Sequence, residues 1–359
     1  MEKEILTRMG HGQRITMSPT QVKEDLSAGT KDAADKGRVP ELTSSELEQL
    51  FEIIADRNRV VTVERGEEVV LTDDVSCVRH IGDESSAGGV GIPLSRLDSI
   101  LVHERSYAQD SAVFQVPFAS GGNVQRVKEK IEVDMQAHET VSLLVTIPMF
   151  YTFVPSVLWY FQPNGPYDNP ADLLPQGKVR EAREASEKAA KRLVEDSVYI
   201  GKKMYSIGCD ALNLDTSASG GDAEFYGNLN IVSELKKAAP HMAIEMGMSG
   251  EFILGVHGQM TFDRQRLAGM FPHQQVEVAE AAGVDIFGPV VNTKPGKSFP
   301  WNLARAVTFV KQTVAVSSIP IHVNAGMGVC SVPMHPIPPI DCVSRMAKAM
   351  VQIGKIDGL

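Results

Sequence analysis

Polar and apolar residues alternate over three short stretches in the second half of the chain. Across residues 211–215, Leu212 and Leu214 point one way while Asn213 and Asp215 point the other, because side chains of an extended strand alternate between its faces. The same alternation sets Glu245 on one face of residues 242–246, and His322 and Asn324 on one face of residues 321–324. A small, glycine-rich turn follows Asp215, and a helix is predicted from near Ala223. Strands of a parallel sheet covered by helices on both sides read as apolar nearly throughout. Polar residues confined to one face, late in each strand, suit a barrel instead. Its inner face opens into a mouth at the strand C-termini, where the active sites of (β/α)8 barrels sit.

The surrounding pattern has the rhythm of βα units. An apolar strand over 142–147 is followed by a long helix over 178–207, with Ala182, Ala185, Ala189 and Leu193 as its inner stripe and Gly208 as its stop. After the strand bearing Asp215, a helix runs to about Ala239 and ends at Pro240. A strand over 241–246, a helix from Pro272 to Gly283, a strand over 284–291 and a helix over 301–316 follow. A strand over 320–324, a helix over 340–353 and the start of a further strand over 355–359 complete the series. That makes six strands, spaced like βα units after the second. A barrel needs eight, so the expectation is an α/β, TIM-like (β/α)8 barrel lacking about its last two units. Residues 1–140 are expected to be an N-terminal elaboration packed on the barrel, and 141–359 its units one to six. Within the elaboration, 32–35 and 44–57 are predicted helical, the latter with Leu47, Leu50, Ile53 and Ile54 as its apolar stripe. Residues 60–63 and 68–71 resemble short strands. The glycines of 86–93 mark a loop, and no GK[ST] follows to make it a phosphate cradle.

Composition narrows the function classes. The chain has 359 residues, 43% hydrophobic and 22% charged, with a formal charge of −10, which argues against a nucleic-acid partner and mildly favours a cationic ligand. Its four cysteines, Cys77, Cys209, Cys330 and Cys342, are scattered without a CxxC, so neither a zinc site nor a disulfide framework is expected. The N-terminus has no signal-peptide core, which makes the cytoplasm the default. Residues 140–167 carry no charge, and 141–161 could span a bilayer by length alone. Pro148 and Pro155 interrupt that stretch and no Lys/Arg cluster precedes it, so a buried strand and an aromatic loop are expected.

Several ordered runs resemble one family. They are Val90-Gly-Ile-Pro with Ser95-Arg-Leu, His103-Glu-Arg105, Leu214-Asp-Thr216, Pro272-His-Gln-Gln275 and Phe287-Gly-Pro-Val-Val-Asn-Thr293. Trp301-Asn-Leu-Ala-Arg-Ala-Val-Thr-Phe309, Pro338-Pro-Ile-Asp341 and Asp357-Gly-Leu359 continue the series. From about Val90 to Leu359 the chain resembles the dimethylamine:corrinoid methyltransferases. The resemblance implies a pyrrolysine, encoded by an in-frame amber codon, immediately after Leu359, in chains that continue well beyond it. It implies that an electrophilic imine takes up the amine and presents a methyl group to Co(I) of a corrinoid, a cobalamin-type cofactor carried by a separate small protein. A chain of residues 1–359 alone lacks that electrophile and is expected to be inactive.

This chemistry asks for a carboxylate near the amine and a group that moves a proton. Two unit charges ~4 Å apart gain about 4 kcal/mol at an effective dielectric near 20, and a carboxylic acid or His can transfer the proton. Glu245 is the first candidate, as acid/base and cation partner. Asp215 and His322 are the other candidate catalytic groups. Asn324, Asn292, Tyr226 and Tyr151 are candidate substrate-binding residues, Tyr151 within an aromatic loop that could offer a cation–π wall. His257 and His273 lie on loops near the mouth without metal-ligand spacing. A homo-oligomer is expected. Two other classes remain: a barrel lyase or aldolase, for which Lys294 and Lys297 are the nearest amines, and a truncated remnant that only binds partners.

Overall fold

A computed structural model describes residues 4–69, 71–74, 111–115, 150–151, 156–206, 208, 211–214, 217–255, 258–326, 328–334 and 338–359; for 71–74, 111–115 and 150–151 it describes the backbone alone. The chain opens with an antiparallel hairpin, β1 (Ile5–Arg8) and β2 (Arg14–Met17). Helix α1 (Pro19–Gly37) starts on a capping box. Ser18 Oγ accepts from the Gln21 N–H at 3.2 Å, Gln21 Oε1 accepts from the Ser18 N–H at 2.8 Å, and Pro19 needs no N–H partner. Thr43 and Glu46 repeat the device at the head of α2 (Ser44–Ala55). The stripe predicted for α2 is present: Leu50, Ile53 and Ile54 are buried and Leu47 packs against the same core. Residues 60–63, predicted as strand, are a bend followed by irregular chain.

The parallel strands then follow in chain order. β3 (Leu71–Asp74) pairs with β4 (Ser111–Gln115), and β4 with β5 (Phe150–Tyr151). Helix α3 (Val179–Ser206) leads to β6 (Ala211–Asn213), and α4 (Asp222–Ala238) to β7 (Ala243–Ser249). Helix α5 (Pro272–Ala282), stopped by left-handed Gly283, leads to β8 (Ile286–Pro289). β6, β7 and β8 form a second parallel sheet, and β5 lies beside β6. Parallel bridges extend the series from Phe287 to Ile321 and from His322 to Gly358.

Counted this way, eight parallel strand positions occur in chain order. The count of six strands, and the two missing units inferred from it, is corrected: β3, which the strand predicted over 68–71 meets only at Leu71, and β4 both precede residue 142 and were left out of the count. Among the described residues the parallel ladders form two sheets extended by single bridges, not a closed ring. The predicted strand over 142–147 and the boundary at residue 140 lie outside the described residues, as does the loop over 86–93. So does most of the uncharged stretch over 140–167. Among the described residues, no helix is long and apolar enough to cross a membrane.

Helix α6 (Phe299–Val316) is the buried centre of the packing, with Leu303, Ala306, Val307, Phe309 and Val310 inaccessible to solvent. Helix α1 lies against it at backbone distance. A Cβ on Gly29 would stand 2.2 Å from the Trp301 carbonyl oxygen, so only glycine allows this crossing. Val22, Leu26 and Ala33 bury the same face of α1, each Leu-sized side chain contributing about 1.5–3 kcal/mol. Helix α7 (Ile340–Ala349) passes into a wide π turn, Met350–Gly354, and left-handed Lys355 redirects the chain into the pairing at Gly358.

Candidate active site

The polar faces read from the sequence meet across β6, β7 and the strand position at His322. Glu245 lies midway along β7, with Ile244 and Met246 buried on the opposite face as alternation requires. His322 lies between Ile321 and Val323, both buried. His322 Nδ1 is 2.5 Å from Glu245 Oε1, and the two side chains retain 17% and 7% of their exposure. Burial disfavours a charged imidazole, but the Glu245 carboxylate and the backbone of Leu359 outweigh it, and the pKa of His322 is raised above its ordinary value. Glu245 Oε2 accepts no hydrogen bond from the described residues.

The end of the described chain reaches the same place. The Val323 N–H donates to the Gly358 carbonyl at 3.0 Å, and the Gly358 N–H to the Ile321 carbonyl at 3.2 Å. Leu359 therefore lies beside the carboxylate–imidazole pair.

Loops at the strand C-termini are tied to one another. Glu251, after β7, is 4% exposed and accepts from the Asn292 N–H at 2.8 Å and from both terminal nitrogens of Arg305. Arg305, 1% exposed, also reaches Asp32 on α1 at 2.8 Å. Desolvation works against ionising Glu251, yet Arg305 and Lys294 hold its carboxyl below the usual range. Thr293 is fixed to the following loop through Val332 and Gly328. The turn after β6 is gathered by Glu224, 1% exposed, which accepts from Ser156 and Ser219 hydroxyls and from the Val157 and Gly220 N–H groups.

The other candidates fall as follows. Asp215 and His257 lie outside the described residues, and so does the Tyr151 side chain. Asn324 is exposed at the end of its strand. Asn292 is exposed, and it is its backbone that is engaged, by Glu251 and by Arg305. Tyr226 is half-buried within α4 against the apolar core and makes no hydrogen bond to Glu245 or His322. His273, at the start of α5, has its pKa lowered by burial against the pull of Glu277. Lys294 pairs with Glu251 at 3.5 Å and Lys297 lies over the Trp301 ring, so both amines have structural partners. Of the aromatic loop, Tyr160 and Phe161 are core residues, and the Tyr160 hydroxyl donates to Asp196 at 3.0 Å. Among the described residues no cluster of three or more His, Cys, Asp or Glu could hold a metal.

One neighbour was passed over in the sequence. Asn213 is the register partner of Glu245 across β6 and β7 and shares its face. The alternation placed it there, but only the register shows which residue stands opposite it.

The arrangement is a carboxylate with one free oxygen, an imidazole that shares its other oxygen, and a strand end where the chain returns to both. It can bind a small cation and hold a proton. A family model described as dimethylamine methyltransferase (Dimeth_PyL) matches residues 3–359, and the chain belongs to that family.

Proposed function

We propose that the protein transfers a methyl group from dimethylamine to the Co(I) corrinoid of a cognate corrinoid protein, using a (β/α)8 barrel whose mouth holds Glu245 and His322. In the overall reaction the C–N bond breaks with its electron pair left on nitrogen, and methylamine departs. The methyl carbon bonds to cobalt, which supplies both electrons. The observation that carries this reading is the 2.5 Å pairing of Glu245 with His322 beside Leu359, in a chain of this family.

The residue after Leu359 is where the family resemblance puts a pyrrolysine, whose imine supplies the electrophile. The surroundings fit such a group: the backbone at Gly358 is pinned to the strand bearing His322, so the next residue starts within reach of the pair. Dimethylamine is protonated at neutral pH and must give up an N–H proton before its lone pair can react. Glu245 Oε2 receives the ammonium ion and takes that proton. His322 Nδ1, joined to Oε1, holds the carboxylate in place and shares the charge. General acid–base help of this kind contributes about 10²–10⁴-fold.

Asp215 is proposed as a further catalytic group, and Asn324, Asn292, Tyr226 and Tyr151 as substrate-binding residues. The protein is further proposed to act in the cytoplasm as a homo-oligomer. A polypeptide of residues 1–359 alone is proposed to be inactive.

The test is methyl transfer to the purified Co(I) corrinoid protein, followed by cobalt absorbance, with full-length wild type and Glu245→Gln. The variant is expected to lose about 10²–10⁴-fold in kcat/KM with an unchanged fold. Turnover within a few-fold of wild type would remove Glu245 from the reaction. Methyl transfer by a protein whose intact mass equals that of residues 1–359 would overturn the need for the following residue.

A further inference from the structure

We propose that Asn213 is a second amine-binding residue, its side-chain carbonyl taking one ammonium N–H while Glu245 takes the other, so that the pair selects a secondary over a tertiary ammonium. This rests on the reading of Glu245 as the cation partner. Asn213 is 5% exposed, and its Oδ1 is buried without any hydrogen-bond partner. Leaving a buried polar atom unsatisfied is costly, and native proteins do it rarely. Here the orphan faces the candidate site. Asn213 is the register partner of Glu245, and neighbouring strands lie ~4.8 Å apart, so both side chains rise from one patch of one face.

Gly247 fixes where the amide leans. It follows Glu245 by two residues on β7 and therefore shares its face, and a Cβ there would stand 2.7 Å from Asn213 Oδ1. The amide oxygen thus occupies space that any larger residue would contest, toward the strand C-termini. Glu245 Oε1 is committed to His322, while Oε2 is open. Two unsatisfied acceptors, Oε2 and Oδ1, stand on adjacent strands. Dimethylammonium carries two N–H donors and satisfies both. Trimethylammonium carries one, which the carboxylate takes, leaving the amide unsatisfied.

The experiment measures equilibrium dissociation constants of dimethylammonium and trimethylammonium chloride, by calorimetry or NMR, on full-length wild type, Asn213→Leu, Gly247→Ala and Glu245→Gln. Asn213→Leu keeps the volume and removes the acceptor. It is expected to weaken dimethylammonium about 10–100-fold, the range for a hydrogen bond to a charged group, and trimethylammonium less than threefold. Gly247→Ala, which displaces the amide without deleting it, is expected to weaken dimethylammonium selectively. Equal weakening of both amines, or of neither, in both variants overturns the role of Asn213. Should Glu245→Gln leave both affinities unchanged, the reading of Glu245 fails instead, which separates the two failures. Near-ultraviolet circular dichroism of each variant identifies a misfolded one, and Asn213 is then decided by the other variant.

Discussion

Replacing Glu251 with Gln tests whether the mouth is braced by a buried ion pair. The carboxylate is 4% exposed and Arg305 1%, so neither charge can turn to water when its partner is lost. Gln keeps the shape and one acceptor but removes the charge that Arg305 faces through two nitrogens. Breaking such a pair from one side costs about 3–5 kcal/mol, because the buried cation keeps only the part-exposed Asp32 as a carboxylate partner. Unfolding entropy near 2.1 cal/mol/K per residue gives ~0.75 kcal/mol per degree over 359 residues, so Tm is expected to fall by ~4–7 °C. The Asn292 N–H also loses its charged acceptor, so the loop after β8 should exchange amide hydrogens faster. Asp32→Asn is the control: its side chain is 23% exposed, Arg305 keeps Glu251, and a loss near ~1 kcal/mol is expected. Scanning calorimetry with exchange mass spectrometry reads both. A Tm for Glu251→Gln within ~1 °C of wild type, or a larger loss from Asp32→Asn, refutes the argument. Replacing Glu251 and Arg305 together by Leu and Met is expected to recover part of the loss, because the buried cation leaves with its partner while Asp32 keeps Lys36.

Two further expectations concern the site and the core. His322 is held above its unfolded pKa of about 6.5, so its contribution to stability is fully present below that pH and is lost as pH rises through the folded pKa. In Glu245→Gln the imidazole should titrate lower by NMR and the pH dependence of the urea midpoint should flatten; an unmoved titration would show that the carboxylate does not set the charge. Gly29→Ala drives a Cβ to 2.2 Å from the Trp301 carbonyl oxygen and should cost at least ~1–3 kcal/mol in urea unfolding, whereas a neutral effect would mean that α1 and α6 can part without loss.

Much of the fold was legible where one physical signal dominates. Helix α3 was predicted over 178–207 and spans Val179–Ser206, because its alanine stripe and Gly208 are unambiguous. Helix α1 was mostly missed, although Ser18-Pro-Thr-Gln21 is a capping box with proline at the first helical position. β4 was missed because Ser111-Ala-Val-Phe-Gln115 carries no strong alternation, and the strand predicted over 68–71 reached β3 only at Leu71, after which the chain turns polar. In the site, alternation put Glu245 and His322 on polar faces, yet they stand 77 residues apart in sequence and nothing local shows that their side chains touch. The same holds for Glu251 and Arg305, a pair that no spacing rule connects. Buried polar partners are set by register and by loop paths, which single-strand patterns do not encode.

The contact between α1 and α6 also orders events in time. Asp32 and Arg305 are 273 residues apart, as are Asp25 and Ser298, which bond at 2.5 Å. At translation rates of about 5–20 residues per second, the apolar face of α1 emerges ~14–55 s before the helix that covers it exists. Val22, Leu26 and Ala33 are presented to the cell through that interval. The docking of α1 on α6 is therefore a late contact, although α1 is made early. Until α6 emerges, that face of α1 lacks its native cover.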